Sequence, residues 1–246
     1  MTWDPSDGRI HAALPACQTH RRGYQVGMTR WHIAGIAAGV VVVIIIVSLG
    51  VVTWLHLRHV AQIEQDLDVD MGPAFHEDSV QTLPETARRY LLHSIAEGTP
   101  LYGSVRLEQK GAMKLKPDRP HAELTADERL TPLVGFLWRA RSRVGGLPVS
   151  VTDHYLDDDG AVRVAVLGAM PVVNQKGDDV TRSSRGRLAA ESLWCPTALV
   201  GRENVRWEAV DDGHVRLVQS VDGEDVAVTL AVDDQGRLTE IVMQRW

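Results

Sequence analysis

The 246 residues are 44% hydrophobic and 24% charged, with a formal net charge of −6 at pH 7. That composition excludes a disordered or fibrous chain, and the acidic balance weighs against nucleic acid as a partner. Two cysteines, Cys17 and Cys195, exclude a disulfide framework.

Residues 1–30 carry scattered Pro, Gly, His and Arg without periodicity and read as a disordered N-terminus, with Met28 as an alternative start. The stretch Ile33 to Leu55, IAGIAAGVVVVIIIVSLGVVTWL, then runs without a charge. As a helix it spans roughly 34 Å, enough to cross a hydrocarbon core of about 30 Å. Trp31 and Trp54 stand at its ends, where indoles favour the headgroup layer. A membrane helix is therefore expected over 31–57. The run is too long for a cleaved signal, and no small-x-small site follows, so it reads as an uncleaved signal-anchor. Arg9, Arg21, Arg22 and Arg30 precede it, and only Arg58 follows before Arg88, which places the N-terminus inside. Gly35 and Gly39 make a small-xxx-small pair that permits a homodimer through this helix.

Residues 61–246 hold 21 Lys and Arg against 30 Asp and Glu, an excess of acid that argues against firm docking on anionic lipid. Residues 58–81 read as a tether. Asp66, Asp68, Asp70 and Glu77 match a calcium loop only in part, because Met71 stands where the turn needs Gly. His56 and His59 lack a third ligand, so no metal is expected.

The folded domain is expected over 82–246. Thr82 and Glu85 suggest a capping box, followed by a helix with Ala87, Tyr90, Leu91, Ser94 and Ile95 on one face. The period then becomes two. In SVRLEQKGAMKLK, FLWRARSRV, VSVTDHY and VRVAVLG, alternate residues are apolar and the rest wet. A helix capped by Ser183 or Ser184 and stopped by Pro196 interrupts this pattern, and a meander with acidic Gly turns closes the chain. The expected fold class is α+β: an antiparallel, curved, half-barrel-like sheet of eight to ten strands with two packing helices, on a single N-terminal transmembrane helix.

Nucleotide loops, HExxH, GxSxG and CxxC are all absent from the sequence. Asp153 and His154 are adjacent on a strand and face opposite ways, so they form no dyad. Asp157 to Asp159 read as a hairpin turn, and Arg139, Arg141 and Arg143 as a solvated row. Glu191 and Trp194 are three apart, the Trp expected in the core and the Glu exposed. Gln109, Ser142 and Asp153 carry more information, because each falls on the apolar phase of its strand. Unpaired burial would cost about 1–3 kcal/mol apiece, whereas a concave ligand-binding face tolerates such groups. With Trp138 and Tyr155 they form the candidate ligand-binding set.

LPETARRYL at 83–91, DHYLDDDGAVRVAVLGAMPVV, ESLWCPTALV and VRWEAVDD resemble a bacterial membrane-anchored family of unknown function. Its members carry LPE-x-x-RRYL, R-x-x-LLG-x-x-PVV and E-x-x-W-x-PTALL runs. The resemblance covers about residues 83–246 and implies no activity, cofactor or site residue. Cys195 departs from the pattern, which speaks against a catalytic thiol. More loosely, the strand-rich pattern is similar to the half-barrel of periplasmic lipoprotein carriers. The resemblance and the orientation together imply the bacterial inner membrane, with the C-terminal domain outside the cytoplasm.

The expected function is a non-catalytic binding module for a lipid or other hydrophobic envelope molecule. An envelope scaffold or sensor acting through protein–protein contacts is the alternative, and a hydrolase comes third.

Overall fold

The computed structural model describes residues 2–3, 10–11, 30–67, 72–114 and 120–243. The chain divides into two compact units, 1–46 and 47–246. In the first, short strands β1 (Thr2–Trp3) and β2 (Ile10–His11) pair antiparallel within a stretch expected to be disordered. Helix α1 runs Arg30–Asp66 and contains a segment long and apolar enough to cross a membrane.

Residues 58–67 and 72–81 of the expected tether are structured. Instead of ending near residue 57, α1 continues to Asp66, because Val60, Ile63 and Leu67 recur at i, i+3 and i+7 and make an apolar stripe. That stripe is buried with Leu137 of the sheet. Farther on, Gly72 N–H donates to the Leu101 carbonyl, Ala74 bridges Pro100, and Phe75 and Val80 enter the core. Asp68 and Asp70, of the partial calcium loop, lie outside the described residues.

The fold is α+β, and beyond the β1–β2 pair its described strands form two antiparallel sheets. The larger is a six-stranded meander in the order β3 (Val105–Met113), β4 (Ala122–Thr131), β5 (Gly135–Val144), β6 (Leu147–Leu156), β7 (Asp159–Val166) and β8 (Met170–Lys176). The smaller joins β9 (Val205–Ala209), β10 (His214–Val221), β11 (Glu224–Val232) and β12 (Leu238–Val242). The alternation in the sequence hides β4 and β8. In β4, Asp127, Glu128 and Arg129 occupy covered positions through ion pairs, and β8 is an edge strand holding Pro171.

Helix α2 (Glu85–Ser94) lays Ala87, Tyr90 and Leu91 on the smaller sheet, as its spacing requires. The capping box does not form; Pro84 is the N-cap, and Glu85 pairs with Arg88 at 2.8 Å. Helix α3 (Asp178–Glu191) starts earlier than Ser183 and lies against the larger sheet. It lies close against Gly160, where a Cβ would stand 2.7 Å from Thr181 Cα.

Candidate functional site

Register decides what meets α3. Across the larger sheet, Leu107, Glu128, Trp138, Asp153, Val162 and Gln175 are paired in one continuous row. Paired residues of antiparallel strands share a face, so Glu128, Trp138 and Asp153 point together toward α3. From the helix, Ser184, Arg187, Leu188 and Glu191 project on one side at helical spacing.

Arg187 is the hub. Its Nη2 donates to Glu128 Oε1 at 3.0 Å, its Nη1 to Asp153 Oδ2 at 2.6 Å, and its Nε to both oxygens of Glu191 at 2.8 Å. The guanidinium also lies 4.4 Å from the Phe136 ring centroid and 5.4 Å from that of Trp138. Trp138 Nε1 donates to Gln109 Oε1 at 2.9 Å, and Gln109 Nε2 donates to Glu128 Oε2 at 2.8 Å. Gln109, Trp138 and Asp153 are thus joined to one another through Glu128 and Arg187.

Three carboxylates share one cation, and protonation redresses the imbalance. Glu128, whose side chain is wholly buried, is raised to about 8, first by burial and then by the charge of Glu191, against the pull of Arg187. The upward shift favours the neutral acid at this position, with Glu191 as its hydrogen-bond partner. Asp153 is also raised by burial, while Arg187 opposes the shift. Asp153 Oδ1 is buried without a partner among the described residues. The cluster can hold a proton and orient a polar group.

The other two expected residues lie apart. Tyr155 is fully buried at the α3 end; its hydroxyl donates to Asp222 at 2.6 Å and accepts from Arg185 at 3.1 Å. Ser142, toward the opposite end, donates to the Glu123 carbonyl at 2.7 Å. Between these ends runs a trough. Ala126, Ala140, Val151, Val164 and Val173 form the next row with Gln109, and Leu124, Ser142, Val149 and Val166 the row after. Ala126 and Ala140 are buried, while the valines and Leu124 are half-buried.

The reverse face is not the wet one the alternation suggests. Arg139 donates to Glu64 of α1 at 3.0 Å and to Asp127 at 2.5 Å, so it is no solvated residue. His154, opposite in direction to Asp153 as expected, packs edge-on to His59 with ring centroids 5.3 Å apart. Burial and the His59 ring lower it to about 4, and both its ring nitrogens lack partners among the described residues. Glu191 and Trp194 exchange their expected places: Glu191 joins the cluster, and Trp194 is 48% exposed. Cys195 is buried beside Thr197 and the Tyr102 carbonyl.

Sequence reasoning missed Glu128 and Arg187. For Arg187 a signal exists, since it shares the inward stripe of Ser184 and Leu188.

This is an α+β protein in which one helix is held on a six-stranded antiparallel sheet by a buried arginine–carboxylate cluster, next to an open apolar trough. The chain belongs to a family of unknown function, DUF6544, whose model matches residues 73–246. No curated protein and no solved structure matches it.

Proposed function

We propose that the chain is a membrane-tethered, extracytoplasmic module of the bacterial inner membrane that binds a lipid or other hydrophobic envelope molecule without transforming it. The observation that carries this reading is the trough. Its valines and Leu124 stay half-buried on the face that α3 only partly covers, and apolar surface left open in a fold favours an apolar occupant. Gln109 and Trp138 close one end and offer a polar rim backed by Arg187. An amphiphile fits with its chain on the valines and its polar end toward that rim.

Native mass spectrometry of the full chain, extracted with its membrane, tests the reading. The wild type carries an apolar adduct, and Val151→Asp loses it while keeping its circular dichroism. A wild type free of adduct, or a Val151→Asp variant that keeps it, overturns the proposal.

One observation favours a second reading, a sensor or scaffold: α1 is seated firmly on the sheet, which suits transmission along the helix. Gly35 and Gly39 leave room for a second copy of that helix. Crosslinking in membranes then gives less dimer for Gly39→Ile than for wild type; an unchanged ratio removes this seam.

A further inference from the structure

We infer that the hairpin-tip edge of the larger sheet is a membrane-docking surface, seated on the anionic bilayer that α1 enters. The proposal does not depend on the trough being occupied.

The position follows from contacts along α1 within the second unit. The Leu67 carbonyl accepts from Thr131 Oγ1 at 2.5 Å, at the end of the sheet holding the β4–β5 and β6–β7 turns. About two turns earlier on the helix, the His59 ring meets His154, and His56 Nε2 lies 3.4 Å from Thr152 Oγ1. Thr53 then shares a cavity with Ser150 and Gly168. The helix therefore descends along β6 toward the β5–β6 and β7–β8 hairpins, at the end of the sheet where β3 closes and β4 opens. Helix residues preceding Thr53, among them the exposed Val47 and Val51, belong to the uncharged run and come level with the hairpin tips. If that run lies in lipid, the tips meet the interface.

The tips have the chemistry of that place. Met113, Val144, Leu147, Leu167 and Met170 are 38% to 60% exposed. A soluble surface rarely gathers so many large apolar side chains on adjacent turns. Just behind them stand Lys110, Arg141 and Arg143, three cations against the one carboxylate of Glu123, lining an open groove of about 1030 Å³ that is continuous with the Leu124, Ser142 and Val149 end of the trough. These three cations make no ion pair or hydrogen bond among the described residues. Apolar tips backed by unpaired cations match a layer of acyl chains topped by anionic headgroups. The acidic total of residues 61–246 does not prevent this, because screening confines attraction to charges within about 10 Å of the lipid. Asp157–Asp159 and Asp178–Asp179 sit at the opposite end of the sheet.

The test uses the full chain in phosphatidylglycerol nanodiscs, with Cys17→Ser and Cys195→Ser removing the native thiols. Single cysteines replace Leu147, Met170 or, as a control on the β11–β12 turn, Gln235, and each carries an environment-sensitive dye. Nitroxide lipids labelled near the headgroup should quench the dyes at 147 and 170 at least threefold more than the dye at 235. Adding Arg141→Glu and Arg143→Glu should reduce that difference by half or more. Quenching at 147 and 170 no stronger than at 235 overturns the proposal. So does protection of those dyes from aqueous iodide without lipid quenching, which would mark a protein partner. To guard against misfolding of the thiol-free chain, Leu147→Asp with Met170→Asp in the native background should raise protease cleavage at the tips in nanodiscs at least fivefold. Unchanged cleavage counts against docking.

Discussion

Arg139 of β5 grips Glu64 of α1 at 3.0 Å and Asp127 of β4 at 2.5 Å, tying the helix that carries the apolar run to the middle of the larger sheet. Each side chain is between a fifth and a third exposed, so the pairing is weaker than a sealed one but exceeds that of a free surface pair. Arg139→Leu takes the partner from Asp127 and leaves Glu64 with the longer 3.8 Å pairing to Arg129. It should lower stability by about 1–3 kcal/mol, and Glu64→Gln by about 1 kcal/mol or less. Thermal unfolding of the full chain in nanodiscs measures both. Equal, negligible losses would mean that Val60, Ile63 and Leu67 alone hold the seat.

The cluster at Arg187 sets a pH dependence. Glu128 has a folded pKa of about 8, above its ordinary 4.5. The folded state therefore binds the proton more tightly. Its contribution is complete below pH 4.5 and is lost as pH rises through about 8, at a slope of up to about 1.4 kcal/mol per pH unit. Glu128→Gln keeps the shape and removes the titration, so its stability relative to wild type should climb between pH 5 and 8.5. Urea unfolding across that range reads it; parallel profiles would refute the neutral acid.

His154 works in the other direction. Its folded pKa of about 4 lies below the ordinary 6.5, so the unfolded chain takes up the proton first. Stability is present above pH 6.5 and falls as pH drops toward 4. The groups facing it are His59 and His56 of α1, with Asp159 and Lys176 at the sheet edge. His154→Leu should lose little at pH 7.5 and be the more stable chain at pH 5. Melting temperatures at the two pH values decide, and a variant equally weakened at both contradicts the assignment.

Gly160→Ala probes how α3 is seated. The added methyl would press on Thr181 backbone, which cannot swing aside. A loss of about 1–3 kcal/mol is expected. Faster amide exchange along α3 should accompany it, and exchange rates equal to wild type would show that the helix tolerates the shift.

Legibility in the sequence followed hydrophobic period. The membrane-length helix, α2 and most strands repeat an apolar side chain at 3.6 or 2, and so could be read. Strand β4 could not be, because its covered positions hold Glu128, Asp127 and Arg129, whose burial is sustained by partners distant in sequence. The same partners hid the centre of the site: Gln109 and Asp153 stood out as polar intrusions on an apolar phase, but Arg187 lies on a polar helix. The end of α1 was misread for another reason. Four acids between Glu64 and Asp70 outweighed the stripe of Val60, Ile63 and Leu67, although Glu64 is matched by Arg139 of the sheet. A chain of residues 80–246 would leave Leu137 bare and Arg139 without Glu64, so the folded part extends back at least to Val60.

That extension changes how far the domain can search. A flexible tether over 58–81 would let it roam a hemisphere roughly 25–30 Å in radius, meeting the lipid at random angles. With α1 clamped by Leu137, Thr131 and Arg139, the accessible volume shrinks to what helix tilt permits. If α1 spans a bilayer and the hairpin edge docks on it as proposed, the effective concentration of that edge at the bilayer is set by geometry and not by chain statistics. Weak individual contacts at Leu147 and Met170 would suffice to keep it there.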